Sequence, residues 1–366
     1  MKILCISDLL ENSDHSSVNG IFGSNLYNTC SCDVVYFSKR NKQHRNNNKI
    51  IIPYRAKRKG LIKLLSSQID FNSYDFVVVR NFFPVLKQII KQKNQYKFKV
   101  GFWESFPHSY RRLHEAQHTH KSILRKTIEY HIKNKIEDTL LSKVDFYLPI
   151  TDKFTQVFRP NLDRPTMALP MGVDFRSIPN AKPENHIHNA PIKFIYIGTV
   201  DSLRNIDLII EAFSAIEGDY ILDIFTASNN SITNSDILKS DRRISIRSAI
   251  PREQLLNNIM EYDVGIGLIP ENKLYIVSSP TKTLEYYAAS TPAIINNIPD
   301  YKGIFNQKNA FYCQFDKKSI IESIKKILLM PKQELKSMGE SGKKMVSQRR
   351  DYKVLSDALK SFLQSI

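Results

Sequence analysis

Short apolar runs of strand length alternate with segments of helical period along this chain, and the alternation occurs twice. That pattern restricts it to parallel sheets covered on both faces by helices. In the first half, Ile3–Ser7, Val34–Phe37, Phe76–Arg80, Phe98–Phe102 and Phe146–Pro149 predict strands. Helical patterns lie between them at about Ile21–Thr29, Leu61–Gln68, Pro84–Lys93 and Lys121–Ser142. A polar stretch through Pro179, Pro183 and Pro191 then reads as a linker. The alternation restarts with strands at Ile192–Ile197, Ile221–Phe225, Ile244–Arg247, Val264–Leu268 and Ala293–Ile295. Helices are expected near Ile206–Ile216, Arg252–Glu261, Thr281–Ala289, Lys318–Leu329 and Lys332–Met345. The expected fold class is therefore α/β: a doubly wound domain over 1–180, a linker at 181–191 and a second such domain over 192–350. Residues 351–366 form a C-terminal helix whose stripe of Val354, Leu355, Leu359, Phe362 and Leu363 is able to pack back on the first domain.

A chain of 366 residues with 42% hydrophobic content has material for two cores. No window approaches the roughly 18 apolar residues of a spanning helix, so a soluble protein is expected. The run Met1–Asp8 meets an acid too early for a signal peptide and reads as a buried strand. Four cysteines without metal-type spacing fit a reducing cytoplasm. Charge is uneven. Of the net +17, residues 1–170 carry +14, from 28 Lys and Arg against 14 Asp and Glu. The stretch Lys39–Lys63 holds ten basic residues and no acid, and Leu61, Ile62, Leu64 and Leu65 stand at its end. Clustered cations beside apolar residues suit an anionic surface: a phospholipid leaflet, a lipid diphosphate or nucleic acid. The alternative is a solvated basic loop. No aromatic single-strand platform or recognition motif accompanies the cations, so nucleic acid is not the expected partner.

The strongest local signal begins at the apolar strand Val264–Leu268 and runs through Ser278-Ser279-Pro280-Thr281-Lys282-Thr283-Leu284-Glu285. Ser279 suits an N-cap and Pro280 a first helical position, so Thr281 and Lys282 would turn N–H groups and one full charge toward a diphosphate. Glu285 follows one turn later, where a carboxylate can accept hydrogen bonds from the vicinal hydroxyls of a ribose. The alternative is a capped core helix with a surface Lys and Glu. In the first half, Gly20-Ile21-Phe22-Gly23-Ser24 after the first strand would let backbone amides approach a substrate closely.

The segment Ser279–Pro292 resembles the donor-binding signature of GT-B glycosyltransferases like the retaining family 4. Three further stretches are similar to the same family: Ile197-Gly198-Thr199-Val200-Asp201-Ser202-Leu203-Arg204-Asn205, Met171-Gly172-Val173-Asp174 and Glu261-Tyr262-Asp263-Val264-Gly265. The resemblance covers residues 192–350 in order and spacing, and looser similarity reaches Val100–Pro107. It implies the GT-B architecture, two Rossmann-like domains facing across a cleft. It also implies a metal-independent transferase for a UDP- or GDP-linked sugar, with no separate cofactor. Gly198, Thr199, Arg204, Ser279, Thr281, Lys282 and Glu285 would hold that donor, Arg204 and Lys282 neutralising its diphosphate. Gly20, Gly23 and His108 would lie on the acceptor side. Val277 stands where the family commonly carries a glutamate for the sugar hydroxyls, which leaves the donor sugar open.

A retaining reaction needs no general base, whereas an inverting one would recruit a strand-end carboxylate, Asp8 or Glu104. His114 and His118 have the spacing of a metal pair but lack a third ligand in the sequence, so no metal is expected. The acceptor expected from resemblance and charge together is a glycan or lipid-linked saccharide of a bacterial surface polymer. The enzyme would then be peripheral at the inner face of a membrane, with Lys39–Lys63 against anionic lipid. Two other readings stand beside this one: a sugar-nucleotide epimerase of the same architecture, and a non-catalytic protein that binds anions or nucleic acid.

Overall fold

The computed structural model describes residues 1–11, 16–40, 43–119, 122–178, 190–200, 203–227 and 235–366. Contacts divide the chain into two compact units. The first comprises Met1–Gly172, Val277–Ser279 and Tyr352–Ile366, and the second Val173–Ile276 and Pro280–Asp351. The expected linker lies outside the described residues over 181–189, and the contacts divide the chain ahead of it, at Gly172.

The first unit is built on seven strands: β1 (Ile3–Leu10), β2 (Cys32–Ser38), β3 (His44–Asn46), β4 (Lys49–Pro53), β5 (Phe76–Arg80), β6 (Lys99–Glu104) and β7 (Phe146–Pro149). Their order is β3-β4-β2-β1-β5-β6-β7, parallel except for the β3–β4 hairpin. The chain winds outward from β1 in one direction and then, from β5, in the other. The crevice outside the carboxyl ends of β1 and β5 is thus the topological switch point, where such sheets take ligands. Alternate residues of β1 serve opposite cores, Leu4 and Ile6 one and Ile3 and Cys5 the other. Burial on both faces explains why the run is apolar throughout.

One of those cores is completed by the helix Tyr352–Ser365, through Tyr352, Leu355, Leu359 and Leu363. Gly20 makes this possible, because an added Cβ would overlap the Tyr352 ring. Gly20 is buried in the π-type helix Asn19–Leu26, so its missing side chain serves packing rather than the close substrate approach expected of it. Gly23, on the same helix, faces the Asn19 side chain.

The stretch Lys39–Lys63 departs from its alternative reading as a solvated basic loop. It is not one open loop, since it contains β3 and β4. Leu61 and Leu65 are buried in the core. Lys57 is buried as well, its Nζ above the rings of Phe37 and Tyr54 at 4.7 and 4.6 Å and donating to the Asp8 carbonyl. Arg45 pairs with Asp33 at 2.9 Å. Lys39, Arg40, Lys49, Arg55, Arg58, Lys59 and Lys63 remain exposed.

The second unit has six parallel strands: β8 (Ile192–Ile197), β9 (Tyr220–Thr226), β10 (Ile244–Ser248), β11 (Val264–Ile266), β12 (Ala293–Ile295) and β13 (Phe311–Tyr312). Their order β10-β9-β8-β11-β12-β13 puts the switch point between β8 and β11. Among the described residues no helix is long and apolar enough to cross a membrane.

Candidate functional site

Two glycines shape the second unit's switch point. Beside β11, a Cβ on Gly265 would overlap the Tyr286 ring, and one on Gly267 would fall 2.6 Å from the Thr283 hydroxyl. The helix Thr281–Ala288 can therefore press against the strand. Tyr286, wholly buried, accepts a hydrogen bond from the Ile197 backbone N–H at 2.9 Å, and Tyr301 donates to the Thr283 hydroxyl at 2.7 Å. The far side of this helix meets Gly339 and Gly342 of the helix Lys332–Arg350, where side chains would overlap Ser290 and Tyr287. The helix is thus locked on two sides, with its first turn at the carboxyl ends of β8 and β11.

The cap differs from the one expected. Pro280 is the N-cap, in extended conformation, and Thr281 opens the helix. The Ser279 hydroxyl instead accepts the Met171 backbone N–H at 3.1 Å. The first-turn N–H groups, Thr281 and Lys282 among them, have no intrahelical acceptor in any case, and the helix dipole makes that end electropositive.

Lys282 lies half-buried, its Nζ 4.0 Å from the Tyr196 ring centroid and 3.4 Å from the Leu268 carbonyl. Burial and, second, the Arg204 guanidinium lower its pKa to about 7. Arg204 itself stacks over Tyr275 at 5.8 Å. The two cations repel each other, and an anion bound near both relieves them. Gly198 has φ +151, a conformation that L side chains rarely adopt, and Thr199 beyond it is exposed. Gly198, Thr199, Arg204, Thr281 and Lys282 thus belong to the same unit and cluster around its switch point.

Glu285 is buried, and its Oε1 accepts a hydrogen bond from Arg252 Nη1. The carboxylate is held in orientation by the guanidinium. Arg252 was not singled out in the sequence. Its position in the loop after β10 carries the same signal as Arg204, a cation just beyond a strand's carboxyl end.

In the first unit, Asp8 stands at the switch point. Arg80 Nη1 donates to its Oδ1 and Asn81 Nδ2 to its Oδ2 at 3.3 Å. The Arg80 guanidinium is fixed above the Trp103 ring at 4.9 Å. His108, at the start of the helix His108–Thr119, lies close enough to feel both Asp8 and Arg80. Its ring stands 5.1 Å from that of Phe106, and desolvation of the imidazole, with Arg80 adding to it, lowers its pKa, although the residue as a whole is exposed.

Glu104 does not join this group as a base. It is 3% exposed, with Tyr147 donating to Oε2 at 2.7 Å and Arg159 bridging both oxygens at 3.0 and 2.7 Å. Arg159 extends the network to Glu137, Asp138 and Asn134 at 2.7–2.9 Å. A carboxylate committed on both oxygens to a buried guanidinium holds a strand end to a helix and is poorly placed to take a proton. The recess beside it, between Phe83, Tyr110 and Glu137, has about 30 Å³ of space, enough for about one water. His114 is buried against the Tyr110 ring, and the side chain of His118 lies outside the described residues.

Two units, each a doubly wound sheet with its polar groups at the switch point, define the GT-B fold. No family model and no curated protein matches the sequence. Solved structures do match, over all of this chain. One is sucrose-phosphate synthase from Thermosynechococcus elongatus, at 11% identity and TM-score 0.71, with 99% of that chain covered. A glycosyltransferase from Rickettsia africae matches at 14% and 0.70, with 98% covered. The lipopolysaccharide outer core galactosyltransferase WaaB matches at 13% and 0.64, with 99% covered.

Proposed function

We propose that this chain is a glycosyltransferase that moves a sugar from a nucleoside-diphosphate donor to a hydroxyl of a saccharide acceptor. The observation that carries the reading is the pairing of Lys282 with Arg204 at the first turn of Thr281–Ala288. A diphosphate placed there receives first-turn N–H groups and two cations, and the same groups stabilise it as it leaves the sugar. Glu285, oriented by Arg252, accepts from the ribose hydroxyls. The cations supply the charge stabilisation that a divalent ion supplies elsewhere, which supports a metal-independent reaction. The neighbours in fold include enzymes named for sugar transfer, which supports the class.

The finer reading is a UDP- or GDP-linked hexose passed, with retention, to a lipid-linked saccharide of a bacterial surface polymer, on the cytoplasmic face of a membrane. The first half's charge of +14 supports an anionic carrier or surface. If configuration is inverted instead, Asp8 beside His108 is the carboxylate available as base, since Glu104 is consumed by Arg159.

The test is incubation with a panel of UDP- and GDP-sugars, with and without EDTA, followed by product analysis and NMR assignment of the new anomeric centre. Sugar transfer insensitive to EDTA is expected. Isomerised donor without transfer would indicate the epimerase reading, and absence of any nucleotide-sugar affinity would end both.

A further inference from the structure

The helix Ile123–Leu141 is turned the wrong way for a helix in water. Leu124, Ile128, Ile132 and Ile136, each four residues from the next, are 76%, 52%, 57% and 54% exposed. They form a ridge about 18 Å long at 1.5 Å per residue. The opposite face meets the protein through a polar network, with Tyr130 against the Tyr110 ring and Leu141 in the core at its end. Glu137 accepts from Arg159 at 2.7 Å and Ser109 at 2.5 Å, and Asn134 and Asp138 also accept from Arg159. Rolling the helix to bury its isoleucines would tear this network from a guanidinium that is 3% exposed. The outward presentation is therefore fixed by the fold, and a contiguous exposed apolar ridge of this kind marks an interaction surface.

Charge selects the occupant. Every acid on the helix is engaged: Glu129 by Lys126 and Lys133 at 3.0 and 2.7 Å, Glu137 and Asp138 by Arg159. Arg125 and Lys135 share the outward face with the ridge, exposed and with no carboxylate partner among the described residues. A second copy docked ridge to ridge would bring these cations together with no acid to offset them. An apolar ridge interleaved with cations instead complements a surface that is anionic outside and apolar beneath.

We propose that the outward face of Ile123–Leu141 docks on an anionic phospholipid leaflet, its Leu124–Ile136 ridge entering the boundary between headgroups and acyl chains. This rests on the membrane-bound part of the reading above. It moves the apolar contact away from the basic stretch 39–63 and the leucines at its end, of which Leu61 and Leu65 are buried in the core.

The test is flotation of the full chain with vesicles of equimolar phosphatidylglycerol and phosphatidylcholine, and with vesicles of phosphatidylcholine alone. Wild type should float only with the anionic vesicles. Ile128→Ser/Ile132→Ser/Ile136→Ser should lower partitioning tenfold or more with a little-changed or raised melting temperature, because none of the three belongs to a core cluster. Arg125→Gln/Lys135→Gln should lower it several-fold and flatten its salt dependence. Flotation of the triple variant equal to wild type, or no flotation of wild type, would overturn the proposal. So would a lipid-free wild-type dimer, in sedimentation equilibrium, that the triple variant dissolves. Nucleotide-sugar affinity measured by calorimetry without lipid should be the same for all these variants, so failure of the transferase reading is seen separately from failure of docking.

Discussion

The ammonium of Lys282 rests 4.0 Å from the centre of the Tyr196 ring, so the one cation on the first turn of Thr281–Ala288 is already packed against β8 before any ligand arrives. With its pKa lowered to about 7, this group gains a proton when a diphosphate binds at higher pH. Donor affinity should be flat below about pH 6 and fall as pH rises above about 7, with proton uptake approaching one per site near pH 8. Calorimetry in two buffers of different ionisation enthalpy measures both. Affinity independent of pH, with no uptake, would refute the assigned role.

The same residue works against the empty fold. Its folded pKa is about 7 and its ordinary value 10.5, so between these limits the unfolded chain binds a proton that the folded chain does not. Stability from this group is full above the upper limit and is lost as pH falls through the lower one. Lys282→Met should raise the melting temperature near about pH 6 and remove diphosphate binding together. Melting curves at about pH 6 and about pH 9 check the first effect, and a melting temperature lowered at the acid end would contradict it.

Glu104 and Asp8 should part company under mutation. Glu104→Ala leaves Arg159 buried without its main partner and should cost about 3–5 kcal/mol in urea unfolding. Asp8→Asn touches a carboxylate that is 20% exposed and should cost less stability. In an inverting enzyme it would depress kcat by about a hundredfold or more, and in a retaining one far less.

Arg252 and Glu285 should behave as one unit toward the donor. Each single alanine variant is expected to weaken nucleotide-sugar affinity, Glu285→Ala by about tenfold or more and Arg252→Ala by less. The double variant should be little worse than Glu285→Ala alone, because the guanidinium acts by orienting the carboxylate. Strict additivity in the double-mutant cycle would show that Arg252 contacts the donor independently.

What could be read before the structure was whatever depends on near neighbours. The strands Phe76–Arg80 and Phe146–Pro149 follow from unbroken apolar runs, and the helix opening near Thr281 follows from Ser-Pro-Thr-Lys. β4 was hidden because Ile50, Ile51 and Ile52 sit inside a run of cations that reads as a loop. The fates of Ser279 and Glu104 depend on Met171 and Arg159, which are 108 and 55 residues away and carry no local trace of the pairing. Arg252 and Glu285 are 33 residues apart, and the bond between them is likewise a product of the fold.

The packing of Tyr352 onto Gly20 sets an order of events during synthesis. The second unit has all its segments once Asp351 has been made, whereas a wall of the first unit's core arrives only with Leu355, Leu359 and Leu363. The half of the chain that leaves the ribosome first is thus the half that closes last. Until then that core is covered by Val18, Ile21, Phe22 and Leu26 but lacks its last wall, which makes the nascent chain a candidate for chaperone capture.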